Sequence, residues 1–119
     1  MHGLPNGFDA GFLVGKTLEE ISFTANTVYF GFGDGVSVTV LSSLQHLLPS
    51  EREGSNVQTV PLSESKLMQI VNHCVVGARG ESVGTLVISF DNGHSLFVFD
   101  DDPHYETYWI RQNGKEIIV

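Results

Sequence analysis

One cysteine, Cys74, occurs in 119 residues. A single thiol excludes an intrachain disulfide and any zinc cluster built on several cysteines. Basic residues are scarce too: six Lys and Arg stand against fourteen Asp and Glu, a formal charge of −8. Nonspecific binding to nucleic acid or to an anionic membrane draws on positive charge, so both are argued against. A basic protein partner suits this surface better. No apolar run approaches the length of a spanning helix, and no basic-then-apolar leader is seen, so a cytoplasmic location is expected. Nucleophile-elbow, phosphate-cradling glycine and HExxH zinc motifs are also missing. A chain of this length reads as one domain, able to bury roughly two-thirds of its unfolded surface.

What the chain does contain is one stretch written twice. Thr27–Val40 reads TVYFGFGDGVSVTV and Thr85–Val98 reads TLVISFDNGHSLFV, a spacing of 85 − 27 = 58 residues. Thr27/Thr85, Phe32/Phe90, Gly35/Gly93, Ser37/Ser95 and Val40/Val98 are identical. Each copy alternates, turns and alternates again, the pattern of a β-hairpin. Directly opposed residues share a face. An inward set Val28, Phe30, Phe32 therefore requires Val36, Val38 and Val40 opposite, and Phe32 facing Val36 leaves the loop Gly33-Asp34-Gly35. That is a type I turn with a bulge, whose last residue favours glycine. In the second copy Asp91-Asn92-Gly93 is the loop, and Phe90 faces His94.

Around the hairpins, Asp9 caps a short helical turn that puts Ala10, Leu13 and Val14 inward and ends at Gly15. Ser63 is an N-cap for the main helix, with Leu67, Ile70, Val71 and Cys74 in an i, i+3, i+4, i+7 stripe. Aligned on the repeat, this helix corresponds to the Asp9–Gly15 turn, and Cys74–Ala78 to a strand at Thr17–Ile21. Residues 49–56 (PSEREGSN) read as a polar loop. Asn113-Gly114 is a strong type I′ signal and places Arg111 opposite Glu116 and Ile110 opposite Ile117. The expected fold is α+β. Two helix-plus-three-stranded-meander units, about 9–48 and 62–104, and a C-terminal hairpin 105–119 form a curved antiparallel sheet or open barrel of seven or eight strands, with one main helix.

The runs Gly84-Thr-Leu-Val-Ile-Ser-Phe-Asp-Asn-Gly93 and Tyr105-Glu-Thr-Tyr108 resemble a small bacterial domain family of unknown function. Its pattern is G-T-L-x-[IL]-x-F-x-[DN]-G followed by Y-E-x-[WY]. The resemblance implies a fold and no reaction, cofactor or catalytic residue. The chain also resembles the products of mobile-cassette accessory and immunity genes in size and acidity.

Three constellations carry chemistry. Phe30, Phe32, Phe90 and His94 are expected to line an apolar pocket inside the sheet, His94 being the one ionisable group on the inner parity. Asp100, Asp102, His104 and Glu106 form the densest set of metal-ligand types, although the spacing of a dedicated calcium loop is lacking and a solvated turn explains them. Phe97 and Phe99, with Tyr105, Tyr108 and Trp109, are expected to form an aromatic interface, and closed two-fold assembly makes a homodimer the expected oligomer. His73-Cys74 at a helix end indicates no activated nucleophile. The expected function is a non-enzymatic binding or accessory module acting through protein contacts, with an immunity-type role against a basic toxin as one version. A small-molecule binder with the apolar pocket is the alternative. An enzyme using His94 or the acidic loop ranks third.

Overall fold

The computed structural model describes residues 3–52 and 56–119. Residues 53–55 of the expected polar loop, and residues 1–2, lie outside the described residues. The fold is nearly all β. Strands β1 (Glu20–Phe23), β2 (Val28–Gly33), β3 (Val36–Val40), β4 (Ser43–Leu47) and β5 (Gln58–Thr59) come from the first half. From the second come β6 (Val75–Gly80), β7 (Leu86–Phe90), β8 (Ser95–Val98), β9 (Tyr108–Gln112) and β10 (Lys115–Ile118). They build two five-stranded antiparallel sheets, ordered β1-β2-β3-β9-β10 and β5-β4-β8-β7-β6. Each sheet therefore takes a three-stranded meander from one half of the chain and its last two strands from the other half. The single sheet expected from sequence is two, closed over one shared core by this exchange.

The main helix does not exist. Among the described residues the only helices are single 3₁₀ turns, Ala10–Leu13 and Leu67–Ile70. Leu67 and Ile70 are buried as the stripe requires, yet an i, i+3 pair fits a 3₁₀ turn as well as an α-helix. Ser63 caps nothing; Ser65 Oγ accepts from the Leu67 N–H at 2.9 Å instead. Asn72 then swings to φ 70°, out of the right-handed region. The backbone that a helix would have used is bonded across the molecule.

That crossing shows how the halves relate. Thr17 and Cys74 form an antiparallel bridge, and around it the hydrogen bonds come in matched pairs. Gly15 N donates to Val75 O at 2.8 Å and Asn72 N to Leu18 O at 2.7 Å. Leu18 N donates to His73 O at 3.0 Å and Val75 N to Lys16 O at 2.8 Å. Adding 57 to each residue of the first half converts one bond of each pair into the other (15 to 72, 18 to 75, 16 to 73), which is a local two-fold axis through the bridge. Side chains obey it too. Lys16 Nζ lies 3.3 Å from Asp34 Oδ2, and His73 Nδ1 lies 2.7 Å from Asp91 Oδ1, again 57 apart in each member.

The hairpin registers follow the hydrophobic parity, with Val28 opposite Val40, Phe30 opposite Val38, and Ile88 opposite Leu96. The first turn reaches that register by a different route from the one expected. Asp34 (φ 53°) and Gly35 (φ 74°) form a two-residue turn with Gly33 opposite Val36, and a bulge between Gly31 and Gly33 keeps Phe32 on the core side. In the second hairpin the expected bulged loop is present: Gly93 N donates to Phe90 O, Phe90 N to His94 O, and Gly93 has φ 86°. Gly93→Val should therefore lose more than about 1 kcal/mol, because a β-branched residue resists φ > 0. A Cβ there would also stand 3.1 Å from the Pro49 ring. Urea denaturation with an unchanged midpoint would contradict the turn. The third hairpin has the Asn113-Gly114 turn and the Arg111–Glu116 and Ile110–Ile117 pairs as expected.

Candidate functional site

Where two halves share a plan, the positions that break it are informative. Val36 of the first hairpin corresponds to His94 of the second (94 − 36 = 58). The exchanged strands correspond with a spacing of 64: Leu44 pairs with Val98 as Tyr108 pairs with Val40, so His46 corresponds to Ile110. In the first sheet these positions hold Val36 and Ile110, both in the apolar core. In the second sheet they hold two histidines. His46 Nε2 and His94 Nδ1 are 2.8 Å apart, with ring centroids 5.0 Å apart and planes tilted by 32°. His46 is 7% exposed and His94 9%.

At 2.8 Å one N–H occupies the line between the rings, so one imidazole donates and the other accepts. His94 is also positioned by its backbone, whose N–H donates to Asn92 Oδ1 at 3.2 Å. Burial depresses the His46 pKa to about 4, and the neighbouring His94 adds to this. Lys66 acts in the same direction, and Glu51 opposes it. His46 is thus neutral across the physiological range. His46 lines a cleft of about 520 Å³ whose walls include Glu51, Val57, Gln58, Glu64 and Lys66. Glu51 is held in place, accepting from the Leu48 N–H at 3.0 Å and from Asn56 Nδ2 at 3.3 Å. A polar cleft with the neutral His46 at its wall, hydrogen-bonded to His94 behind it, is suited to orienting a bound polar group.

The residues singled out from sequence are not one site. Phe30, Phe32 and Phe90 belong to the packed core and do not line this cleft; His94 reaches it only through His46. His46 was not identifiable from the hairpin parity, because it follows the second hairpin strand's partner only through the strand exchange. The acidic loop is spent on structure. Asp100 accepts from the Gly3 N–H and from Thr107 Oγ1, and Asp101 from Ser42 and Ser43. Asp102 accepts from the backbone of His104 and Tyr105, and Glu106 from Trp109 Nε1. No group of three or more potential ligands that could hold a metal is found among the described residues. Of the expected interface, Phe97 is 4% exposed and stacks on Phe99 at 6.4 Å. Tyr108 is in the core, its hydroxyl donating to Gly84 O at 2.6 Å, and burial raises its pKa. Trp109 is half-buried and Tyr105 is 73% exposed.

His73–Asp91 has the geometry of a catalytic Asp–His pair, and the hydrogen bond from His73 lowers the Asp91 pKa. Its two-fold mate is Lys16–Asp34, a lysine with no such chemistry. Both pairs tie a hairpin turn to the central crossing, so the role common to them is structural.

Fold and site together define a small β protein of two internally related halves that exchange strands, with one buried histidine pair at a polar cleft. No helix among the described residues is long and apolar enough to cross a membrane. The chain belongs to a family of unknown function (DUF6188), whose sequence model matches residues 11–119. Comparison with curated proteins and with solved structures gives no match.

Proposed function

We propose that the protein is a non-catalytic binding module that takes a small polar ligand in the cleft beside His46. The observation that carries this is the substitution of a buried histidine pair for the Val36/Ile110 pair of the related half. The fold accepts apolar residues at these positions, so two imidazoles are not a folding requirement. Burying polar groups costs free energy unless they are paired, and even paired they gain little over an apolar core. Retaining them next to a cleft suits a ligand contact. The second nitrogen of His46 presents a donor or an acceptor according to tautomer, and Glu51, Glu64 and Lys66 supply both signs of charge. The ligand class is therefore a small hydrogen-bonding molecule with amine or hydroxyl groups.

Nitrogen-15 chemical-shift titration against mixtures of amino acids, amino sugars and polyamines tests the proposal. Shifts clustered on His46, Glu51, Gln58 and Glu64, and lost in the double variant His46→Ile with His94→Val, are expected. Shifts that persist in that folded variant, or none at millimolar ligand, would overturn it.

A second reading is a module that acts through protein contacts, with masking of a basic toxin by the acidic surface as one version and a homodimer as another. The partly exposed aromatic face of the first sheet favours it.

A further inference from the structure

The two-fold relation also exposes a difference between the sheets' outer faces. On the second sheet the outward row runs Arg79, Val87, Phe97, Gln45 across β6, β7, β8 and β4. Val87, Phe97 and Gln45 are nonetheless buried. At the β4 end of this row Gln45 Nε2 donates to the carbonyl of Arg52 at 3.3 Å, so the chain that follows β4 folds back onto this face. On the first sheet the corresponding link, from β9 to β10, is only the Asn113-Gly114 turn.

What the short turn leaves open is an aromatic row. Ser22, Tyr29, Thr39, Trp109 and Ile118 stand side by side across all five strands. Tyr29 leans across Gly31, where any Cβ would lie 2.9 Å from its ring. Tyr29, Thr39 and Trp109 are partly exposed and Ile118 is 37% exposed. The neighbouring row holds Glu20 at one end and Glu116 at the other, and Arg111 between them is paired with Glu116 at 2.9 Å. Glu106 beside Trp109 completes an acidic rim.

We infer that the outer face of the first sheet docks an extended, basic segment of a partner protein across Tyr29, Thr39 and Trp109. A polypeptide segment fits this face because the chain itself folds back onto the related face of the other sheet at Arg52. The argument for a basic one is charge: the rim is acidic and the chain carries −8. Arginine and lysine also gain from the faces of Trp and Tyr. A second copy of this chain would bring like charges together at the same rim. The inference rests on the protein-contact reading and is independent of the cleft.

Trp109 is the only tryptophan, so its emission reports on this face alone. The test selects from a displayed library of random twelve-residue peptides against the intact protein, then titrates the selected peptides while reading Trp109 fluorescence. Peptides enriched in Arg and Lys that change Trp109 emission are expected. Their affinity should fall at least tenfold in Thr39→Arg, which keeps the fold as judged by circular dichroism, and should be unchanged in the His46→Ile, His94→Val variant. That last arm separates this face from the cleft. Selection of no peptide, selection of acidic ones, or binding indifferent to Thr39→Arg would overturn the inference. So would a micromolar dimer in sedimentation equilibrium that Thr39→Arg dissociates, which would identify the occupant as a second copy.

Discussion

Replacing His46 by Ile and His94 by Val together should leave the protein as stable as before or more so at pH 7, while either change alone should destabilise it. A single replacement leaves the other imidazole buried without its partner, at a cost of about 1–3 kcal/mol. The double replacement installs the residues that the related half already carries at positions 36 and 110, so both polar groups disappear and the core closes. The pH dependence is the sharper signature. His46 is held neutral in the folded chain, with its pKa depressed from 6.5 to about 4. The unfolded chain binds a proton there first, so the His46 contribution is fully present above pH 6.5 and is lost as pH falls toward 4. At about 1.4 kcal/mol per pH unit the loss has a ceiling of about 3 kcal/mol. Chemical denaturation at pH 7 and pH 4.5 should show that loss in the wild type and little of it in the double variant.

The second large effect lies at the central crossing. Leu13 and Ile70 occupy equivalent places at the ends of the two 3₁₀ turns, and both are fully buried. Cutting either to Ala removes three side-chain carbons from a shared core, which costs about 2–5 kcal/mol. Because the two sites are related by the two-fold axis, Leu13→Ala and Ile70→Ala should cost similar amounts. A small loss at one and a large loss at the other would show that the halves are related in backbone only.

The local parts of this fold were legible in the sequence. Parity fixed the pairing of Val28 with Val40 and of Phe90 with His94, and Asn113-Gly114 fixed the last register, because each hairpin is closed by its own turn. The exchange of β4 and β9 was not legible. It joins distant segments, as in Leu44 with Val98 and Val38 with Ile110, and no local pattern encodes such a choice. Leu41, Leu44, Leu47 and Leu48 read as the tail of an apolar run that stops at Pro49, which hid His46 inside a strand. The 3₁₀ turn at Leu67–Ile70 misled for a related reason: its buried spacing is also that of an α-helix, and what ends it, the bonding of residues 72–75 to 15–18, is non-local. For the site, His94 was visible as an ionisable group on an apolar parity. Its partner required the third dimension.

The central claim is that His46 and His94 form a buried hydrogen-bonded pair in which His46 is held neutral. Long-range proton–nitrogen NMR of the imidazole rings from pH 7.5 down to 4 tests it most directly. The account predicts that the His46 ring stays neutral well below pH 6, with a proton held between its Nε2 and His94 Nδ1. A His46 ring that titrates near 6.5 like a free imidazole would contradict it.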